Sequence, residues 1–121
     1  KYSLTPISNV ELTLTDSSIC KKIKFIEVHP RKKMSDEDWK ELADTIEDAI
    51  PNFIPRLKNK LSDKDYQICL LIRLGFSTSL IANLLSLSNA AISKRRKTML
   101  KKLCGKNGKP KEFDEYVLQI R

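Results

Sequence analysis

The chain has 121 residues, and its 23 Lys and Arg side chains exceed its 15 Asp and Glu side chains, for a net charge of +8. With 40% hydrophobic and 31% charged residues, the composition is that of a soluble globular chain and excludes disorder throughout. No apolar run approaches the roughly 18 residues that a membrane helix needs, and no signal-peptide pattern is present. Because the chain begins at Lys1 rather than Met, we expect it to be part of a longer protein. We therefore expect a cytoplasmic fragment without membrane contact, whose parent could be anchored in a membrane elsewhere.

The residue types that carry enzymatic and metal chemistry are scarce. Cys20, Cys69 and Cys104 are odd in number and far apart, which predicts reduced thiols in the core rather than a disulfide framework or a zinc site. His29 is the only His and is predicted to be a loop residue. The chain also lacks a Gly-rich phosphate loop, a His-based triad and a carboxylate pair flanked by a cleft. We expect a protein that is not an enzyme and that uses no cofactor, metal or small-molecule substrate.

Residues 1–15 carry conflicting signals. Thr5-Pro6 can cap and open a helix, whereas Val10, Leu12 and Leu14 alternate with polar residues as they would in a strand. Nothing else in the sequence alternates convincingly, so a lone strand would have no partner. We expect a helical or irregular lead-in.

An amphipathic helix is predicted after residue 15 and up to about Val28. Its N-cap could be Asp16, Ser17 or Ser18, and its apolar stripe consists of Ile19, Ile23 and Ile26. The helix is expected to end at His29-Pro30, because the residue before a proline is pushed out of helical geometry.

A strongly acidic helix is predicted next. Ser35 and Asp38 have capping-box spacing, and the apolar face behind them consists of Trp39, Leu42, Ala43, Ile46 and Ile50. Residues 34–50 contain seven carboxylates against Lys40 alone, for a net charge of −6. We expect Trp39 in the core and the carboxylates on a solvated face. An interface role for Trp39, and an acidic face that pairs with the basic half or with a partner, are the open alternatives.

Three short amphipathic segments follow one another between residues 61 and 103. Their apolar stripes are Ile68, Leu71 and Ile72 in the first, Ile81, Leu84 and Leu85 in the second, and Ile92, Met99 and Leu103 in the third. Gly75 can end the first helix, because glycine adopts the left-handed conformation readily. Ser77 or Thr78 can cap the second helix, and Ser88 or Asn89 the third. Three short helices with tight turns, the last of them basic, are typical of a helix-turn-helix.

The charge of the third segment favours binding to double-stranded DNA. Between Tyr66 and Lys111 the sequence has no Asp or Glu but ten basic residues. If Ile92 and Met99 are buried, helical geometry points Ser93, Lys94 and Lys97 outward near the centre, with Arg96 and Lys101 towards the edges. In a helix-turn-helix the last helix lies in the major groove, where Lys and Arg commonly bind guanine.

The three segments between residues 61 and 103 together resemble the LuxR-type (also called FixJ- or GerE-type) DNA-binding domain of bacterial transcription regulators. The matching positions, in register and without gaps, are Leu61-Ser62, Asp65, Gly75, Ser77, Ile81-Ala82, Leu85, Leu87-Ser88, Ile92 and Lys102-Leu103. The chain departs from the family at Ala91-Ile92, where Thr-Val is usual, and at Arg95, where His is frequent, so the base preference is not carried over. Residues 34–59 and 105–117 are more loosely similar to multidomain regulators with tetratricopeptide-repeat sensor regions, which implies an upstream sensor domain in the same polypeptide.

The resemblance assigns roles to individual residues. Ser93, Lys94 and Lys97 match the positions that usually read base edges, while Arg95, Arg96 and Lys101 are expected on phosphates. Ser77, Ser79 and Asn89 lie near predicted helix N-termini and can hold a phosphate, a role compatible with helix capping. Because the family usually binds DNA as a dimer, Leu118, Ile120 and the N-terminal helices are candidate surfaces for a homodimer.

The predicted architecture is an all-α chain in three parts: a helical appendage at 1–60, a LuxR-like helix-turn-helix at 61–104 with its recognition helix at about 89–103, and a loop and C-terminal helix at 105–121. The last helix is predicted from the spacing of Phe113, Val117 and Ile120. The predicted function is sequence-specific DNA binding as the output module of a bacterial transcription regulator. Two alternatives stay open: a unit like sigma-factor region four that contacts promoter DNA and RNA polymerase, and a helical docking module without DNA binding.

Overall fold

Amphipathic helices account for all the regular structure in residues 6–29 and 32–120, which are the residues that the computed structural model describes, with side chains from residue 10 onward. In chain order the helices are α1 (Pro6–Thr15), α2 (Ser18–Glu27), α3 (Asp36–Ala49), α4 (Phe53–Leu57), α5 (Asp63–Arg73), α6 (Thr78–Leu85), α7 (Asn89–Cys104) and α8 (Pro110–Leu118), with a 3-10 turn at Lys58–Lys60. Within those ranges there is no strand, so the prediction of an all-α chain is confirmed.

Helix α1 settles the conflicting signals of the first residues. The alternation of Val10, Leu12 and Leu14 does not produce a strand; Leu14 is buried, whereas Leu12 is 52% exposed. A helix satisfies its own backbone hydrogen bonds, which a strand without a partner cannot do. Thr5 of the predicted cap, Pro30 of the predicted helix end and Arg121 lie outside the described residues.

Serines cap five of the helices, which explains where those helices begin. The capping side chains accept a hydrogen bond from a backbone N–H in the first turn, and they are Ser17 of α2, Ser35 of α3, Ser62 of α5, Ser77 of α6 and Ser88 of α7. The capping box predicted for Ser35 and Asp38 is confirmed. Each such cap typically contributes about 1 kcal/mol to stability.

One continuous hydrophobic core runs through the appendage and the three-helix unit of α5, α6 and α7. It includes the predicted stripes of α2, α3, α5 and α6, together with Ile92, Met99, Phe113 and Val117. The appendage therefore packs on the three-helix unit, with α3 against α5 and with an ion pair of 2.7 Å between Glu11 Oε2 of α1 and Arg73 Nη1 of α5. The core crosses the predicted boundary at residues 60 and 61 without interruption.

The turns on either side of α6 are tight because two residues adopt left-handed backbone angles. Gly75 has a φ of +85° after α5, as predicted, and Ser86 has a φ of +57° at the end of α6. Only residues 86–88 separate α6 from α7. The C-terminal end of α7 is closed in the same way by Gly105, with a φ of +66°.

Several predicted positions are wrong in detail. Cys104 is exposed, whereas Cys20 and Cys69 are buried, and burial raises the pKa of the Cys69 thiol. Ile120 is 2% exposed and therefore cannot serve as a dimer surface, whereas Leu118 is exposed. Asp38 is buried by its capping role, unlike the remaining carboxylates of α3.

Among the described helices, none has both the length and the apolar character required to cross a membrane.

Candidate nucleic-acid interface

Helix α7 packs its apolar stripe against neighbouring helices and turns a row of lysines to the solvent. The buried side carries Ile92, Met99 and Leu100, and α7 contacts α6, α8 and α5. On the opposite side, the exposed residues at successive spacings of four, three and four are Ala90, Lys94, Lys97 and Lys101. Residues at these spacings share one face of a helix, so the three ammonium groups follow one line along α7.

These three lysines have no ion-pair partner in the part of the chain that the structure describes. Two shallow depressions lie along the row, one lined by Lys97, Thr98, Lys101, Lys102 and Asn107, and the other by Asp65, Ala91, Lys94, Arg95 and Thr98. Only the second depression includes a carboxylate, that of Asp65, and this carboxylate forms an ion pair with Arg95. The outward face of α7 therefore carries positive charge that no neighbouring acid neutralises.

Arg95 lies at the edge of this face and is shared with α5. Its Nη1 donates to Oδ1 of Asp65 at 2.9 Å, and its side chain remains 37% exposed. The ion pair fixes the guanidinium at the border of the lysine row. Because a guanidinium has five donors, Arg95 can still bind a phosphate while it keeps Asp65.

Arg96 is the site residue for which the prediction of an outward side chain is wrong. The residue is 9% exposed, and its Nη1 donates to Thr78 Oγ1 of α6 and to Asp114 Oδ2 of α8, both at 3.0 Å. The side chain therefore joins three helices and cannot reach a phosphate without breaking both bonds. Its position four residues after Ile92 places it on the buried stripe.

The surroundings of Arg96 are polar but not fully satisfied. Arg96 Nε and Asp114 Oδ1 are buried without a hydrogen-bond partner. Burial raises the pKa of the Asp114 carboxyl, an effect that the nearby Arg96 guanidinium only partly offsets. This cluster holds α7 against α6 and α8, and so it fixes the orientation of the lysine row.

The polar residues predicted at the interface differ in burial and in the hydrogen bonds that they already make. Ser77 is exposed but serves as the cap of α6, with its hydroxyl accepting from the N–H of Leu80. Ser79 and Asn89 lie together, because the Asn89 side-chain amide donates to Ser79 Oγ at 3.3 Å. Both serine hydroxyls keep their own proton free to donate, which is compatible with a phosphate contact. Ser93 is half-buried beside the lysine row.

Asn107 and Gly108 line a depression together with Lys97, and neither was predicted as a site residue. Both belong to the connection between α7 and α8, for which only loop structure was predicted. Their Gly and Asn content signalled a turn, but the path of that turn depends on how α8 packs back on α7, which local sequence does not encode.

The described residues contain no group of three or more His, Cys, Asp or Glu side chains placed to hold a metal ion. Comparisons of the chain with protein-family models, with curated proteins and with solved structures found no match.

Proposed function

We propose that this chain binds double-stranded DNA sequence-specifically, with α7 in the major groove, as the output module of a bacterial transcription regulator. The observation that carries the proposal is the row of exposed lysines at 94, 97 and 101, which has no acidic partner among the described residues. Duplex DNA presents one negative charge per roughly 1.7 Å of its axis, so a straight row of cations on a rigid helix complements it.

The order and spacing of the helices support the same proposal. Helices α5, α6 and α7 follow with connections of four and three residues (74–77 and 86–88), and the last of the three is the basic one. In a helix-turn-helix, a turn of three or four residues joins the two helices and the second enters the major groove. The resemblance of residues 61–103 to the LuxR-type domain agrees with this arrangement.

Roles follow from position on α7. Lys94 and Lys97 lie at the centre of the exposed row, where base edges would be reached, and lysine is a common partner of guanine. Lys101, Arg95 and the hydroxyl of Ser79 lie towards the borders, where the phosphate backbone passes. Arg96 is a positioning residue, because its bonds to Thr78 and Asp114 hold the helix.

A salt series with the full chain tests the proposal. Affinity for random duplex DNA should fall with salt with a log–log slope of about −4.5, as expected for about five neutralised phosphates. Selection from a random pool should then enrich one motif. Absence of binding at low salt would overturn the proposal, and binding without an enriched motif would reduce it to non-specific attraction.

A pair of matched double variants tests the role of α7. Lys94→Ala with Lys97→Ala should weaken binding to the selected motif roughly 100-fold, and binding to random duplex much less, because a base contact contributes only at the right sequence. Lys21→Ala with Lys24→Ala removes two exposed lysines of the same spacing from α2 and should leave the preference unchanged. Equal losses in the two pairs would contradict the assignment of α7.

A further inference from the structure

The connection between α7 and α8, residues 105–109, binds a single carboxylate of α8 at two of its residues. Glu112 Oε2 accepts a hydrogen bond of 2.6 Å from the backbone N–H of Lys109, and Glu112 Oε1 pairs with Lys106 Nζ at 2.9 Å. The hydrogen bond from the Lys106 ammonium, together with the one from the Lys109 backbone, lowers the pKa of the Glu112 carboxyl. The negative charge of Glu112 is therefore already engaged by the loop that it organises.

Gly108 allows this loop to lie directly on the two helices. A Cβ at position 108 would lie 3.0 Å from Leu100 Cδ2 and would overlap the Glu112 carboxylate. An added Cβ at position 108 would therefore displace the Glu112 carboxylate from Lys106 and from the backbone N–H of Lys109. The close approach needs a glycine for space rather than for backbone angle.

The loop held in this way extends the cationic surface of α7. Asn107 is exposed and borders one depression with Lys97, Lys101 and Lys102, and it borders a second with Lys97 and Gly108. No acidic side chain lines either depression. The surface therefore brings a neutral amide donor next to ammonium groups, on a loop rather than on the helix that would read the bases.

We propose that Asn107, together with Lys101 and Lys102, binds a single backbone phosphate of the DNA and so makes residues 105–109 a second DNA-contacting element. This inference rests on the proposed function. The side-chain amide and the two ammonium groups around this shallow depression can all donate hydrogen bonds to the oxygens of one phosphate. Side chains commonly hold the DNA backbone through such contacts. The contact sets the register of α7 along the groove and carries no base preference of its own.

Asn107→Ala in the full chain tests the contact. Affinity should fall about threefold to tenfold, equally for the selected motif and for random duplex, because the contact does not read sequence. The salt slope should stay unchanged, since a neutral side chain releases no counterion, whereas Lys101→Ala should reduce its magnitude by about 0.9. Asn59→Ala, at an exposed asparagine of the 3-10 turn, is the matched control and should bind as the unmodified chain does.

DNA duplexes with one phosphate replaced by a neutral methylphosphonate identify the partner of Asn107. At one position at the border of the motif, the replacement should weaken binding of the unmodified chain more than binding of the Asn107→Ala variant, which keeps only the lysine contacts to that phosphate. Gly108→Ala should reproduce the loss of Asn107→Ala with the asparagine still present, while circular dichroism shows the same helix content.

The possible failures are distinguishable. If Lys94→Ala with Lys97→Ala weakens binding but Asn107→Ala does not, or if no methylphosphonate position couples to Asn107, the loop inference is wrong and the proposed function stands. If the unmodified chain binds no DNA at low salt, both are wrong.

Discussion

Helices α3 and α7 have the same amphipathic design with charges of opposite sign. Helix α3 carries seven carboxylates and one lysine, whereas α7 carries six basic residues and no acid. Each helix buries one of its charges: Asp38 is 4% exposed and Arg96 is 9% exposed. Each buried charge is used by the fold, because Asp38 caps α3 and pairs with Lys22, and Arg96 pairs with Asp114.

The exposed charges of the two helices differ in where they lie along the helix and in whether the fold compensates them. Three carboxylates of α3 lie in its first turn, where they complement the helix dipole, and Lys40 interrupts the others. In α7, Lys101 and Lys102 complement the dipole at the last turn, but Lys94 and Lys97 lie mid-helix, where the dipole effect is small. The fold gives those two lysines no ion-pair partner among the described residues, which leaves both available for the proposed contact with DNA.

The largest expected effect comes from removing the partner of a buried charge. Asp114→Ala should destabilise the protein by about 2 to 3 kcal/mol, because the buried Arg96 guanidinium would lose the carboxylate oxygen that accepts a hydrogen bond from its Nη1. We expect a smaller loss of stability than for a fully buried ion pair, since the Asp114 side chain is 29% exposed. Asp38→Ala removes a cap and the partner of an exposed lysine and should cost only about 1 kcal/mol. Denaturant unfolding measures both free energies.

A second variant checks that the cost of Asp114→Ala is electrostatic. Arg96→Met combined with Asp114→Ala leaves no buried charge and should recover most of the lost stability, because an apolar side chain replaces an ion pair at little cost. A double variant as unstable as Asp114→Ala alone would show that lost packing, and not the orphaned guanidinium, causes the effect.

The carboxylates of Asp38 and Asp114 should also respond to pH with opposite sign. Burial alone would raise the pKa of Asp38, but the hydrogen bonds from Lys22 and Ser35 outweigh it and hold the pKa below the ordinary value of 3.8. The pKa of Asp114 is raised by burial. A carboxyl whose pKa is lower in the folded protein than in the unfolded chain stabilises the fold above the unfolded-state pKa, and this stability is lost as the pH falls through the folded-state pKa. A carboxyl whose pKa is raised by folding has the opposite effect, because the stability of the protein falls as the pH rises from the unfolded-state pKa to the folded-state pKa.

Unfolding free energies between about pH 2 and pH 7 test these signs. The advantage of the unmodified chain over Asp38→Asn should shrink as the pH falls below 3.8, the ordinary value for Asp38. Relative to Asp114→Asn, the unmodified chain should lose stability as the pH rises above 3.8, the ordinary value for Asp114. Two difference curves with slopes of the same sign would contradict the pKa directions.

The parts of this structure that the sequence predicted are those that depend on nearby residues. Apolar spacing and serine caps determine α2, α3 and the helices from α5 to α7, and the residues involved lie within one or two turns of one another. Long-range pairing was not predictable. Nothing local indicates that Glu11 meets Arg73 or that Arg96 meets Asp114, 62 and 18 residues away.

The candidate site shows the same division. Helical geometry placed Lys94 and Lys97 outward, and both are exposed. The same geometry predicts Arg96 at the outward edge, but Arg96 lies four residues after Ile92 and is buried with that stripe. The buried guanidinium has a carboxylate acceptor only because α8 brings Asp114 to Arg96. Asn107 was missed for a related reason, since its place beside Lys97 depends on the same packing of α8.

The smallest expected effect comes from transplanting the start of α3 into α7. Both helices begin with a capping serine, but the third helical residue is Asp38 in α3 and Ala91 in α7, so only α3 has a capping box. Ala91→Glu should complete the box with Ser88 and stabilise the protein by about 0.5 kcal/mol. It should at the same time weaken DNA binding several-fold, because position 91 lines the same depression as Lys94 and Arg95.

Ala91→Gln separates these two effects. A glutamine can complete the capping box without adding charge, so this variant should gain similar stability while its affinity for DNA falls much less. If Ala91→Glu and Ala91→Gln weakened DNA binding equally, side-chain size at position 91 would be responsible, and the uncompensated charge of α7 would not be the feature that DNA recognises. A loss confined to Ala91→Glu would instead explain why α7 begins without the acid that α3 uses. The helix then gives up a small gain in local stability to keep its outward face free of negative charge.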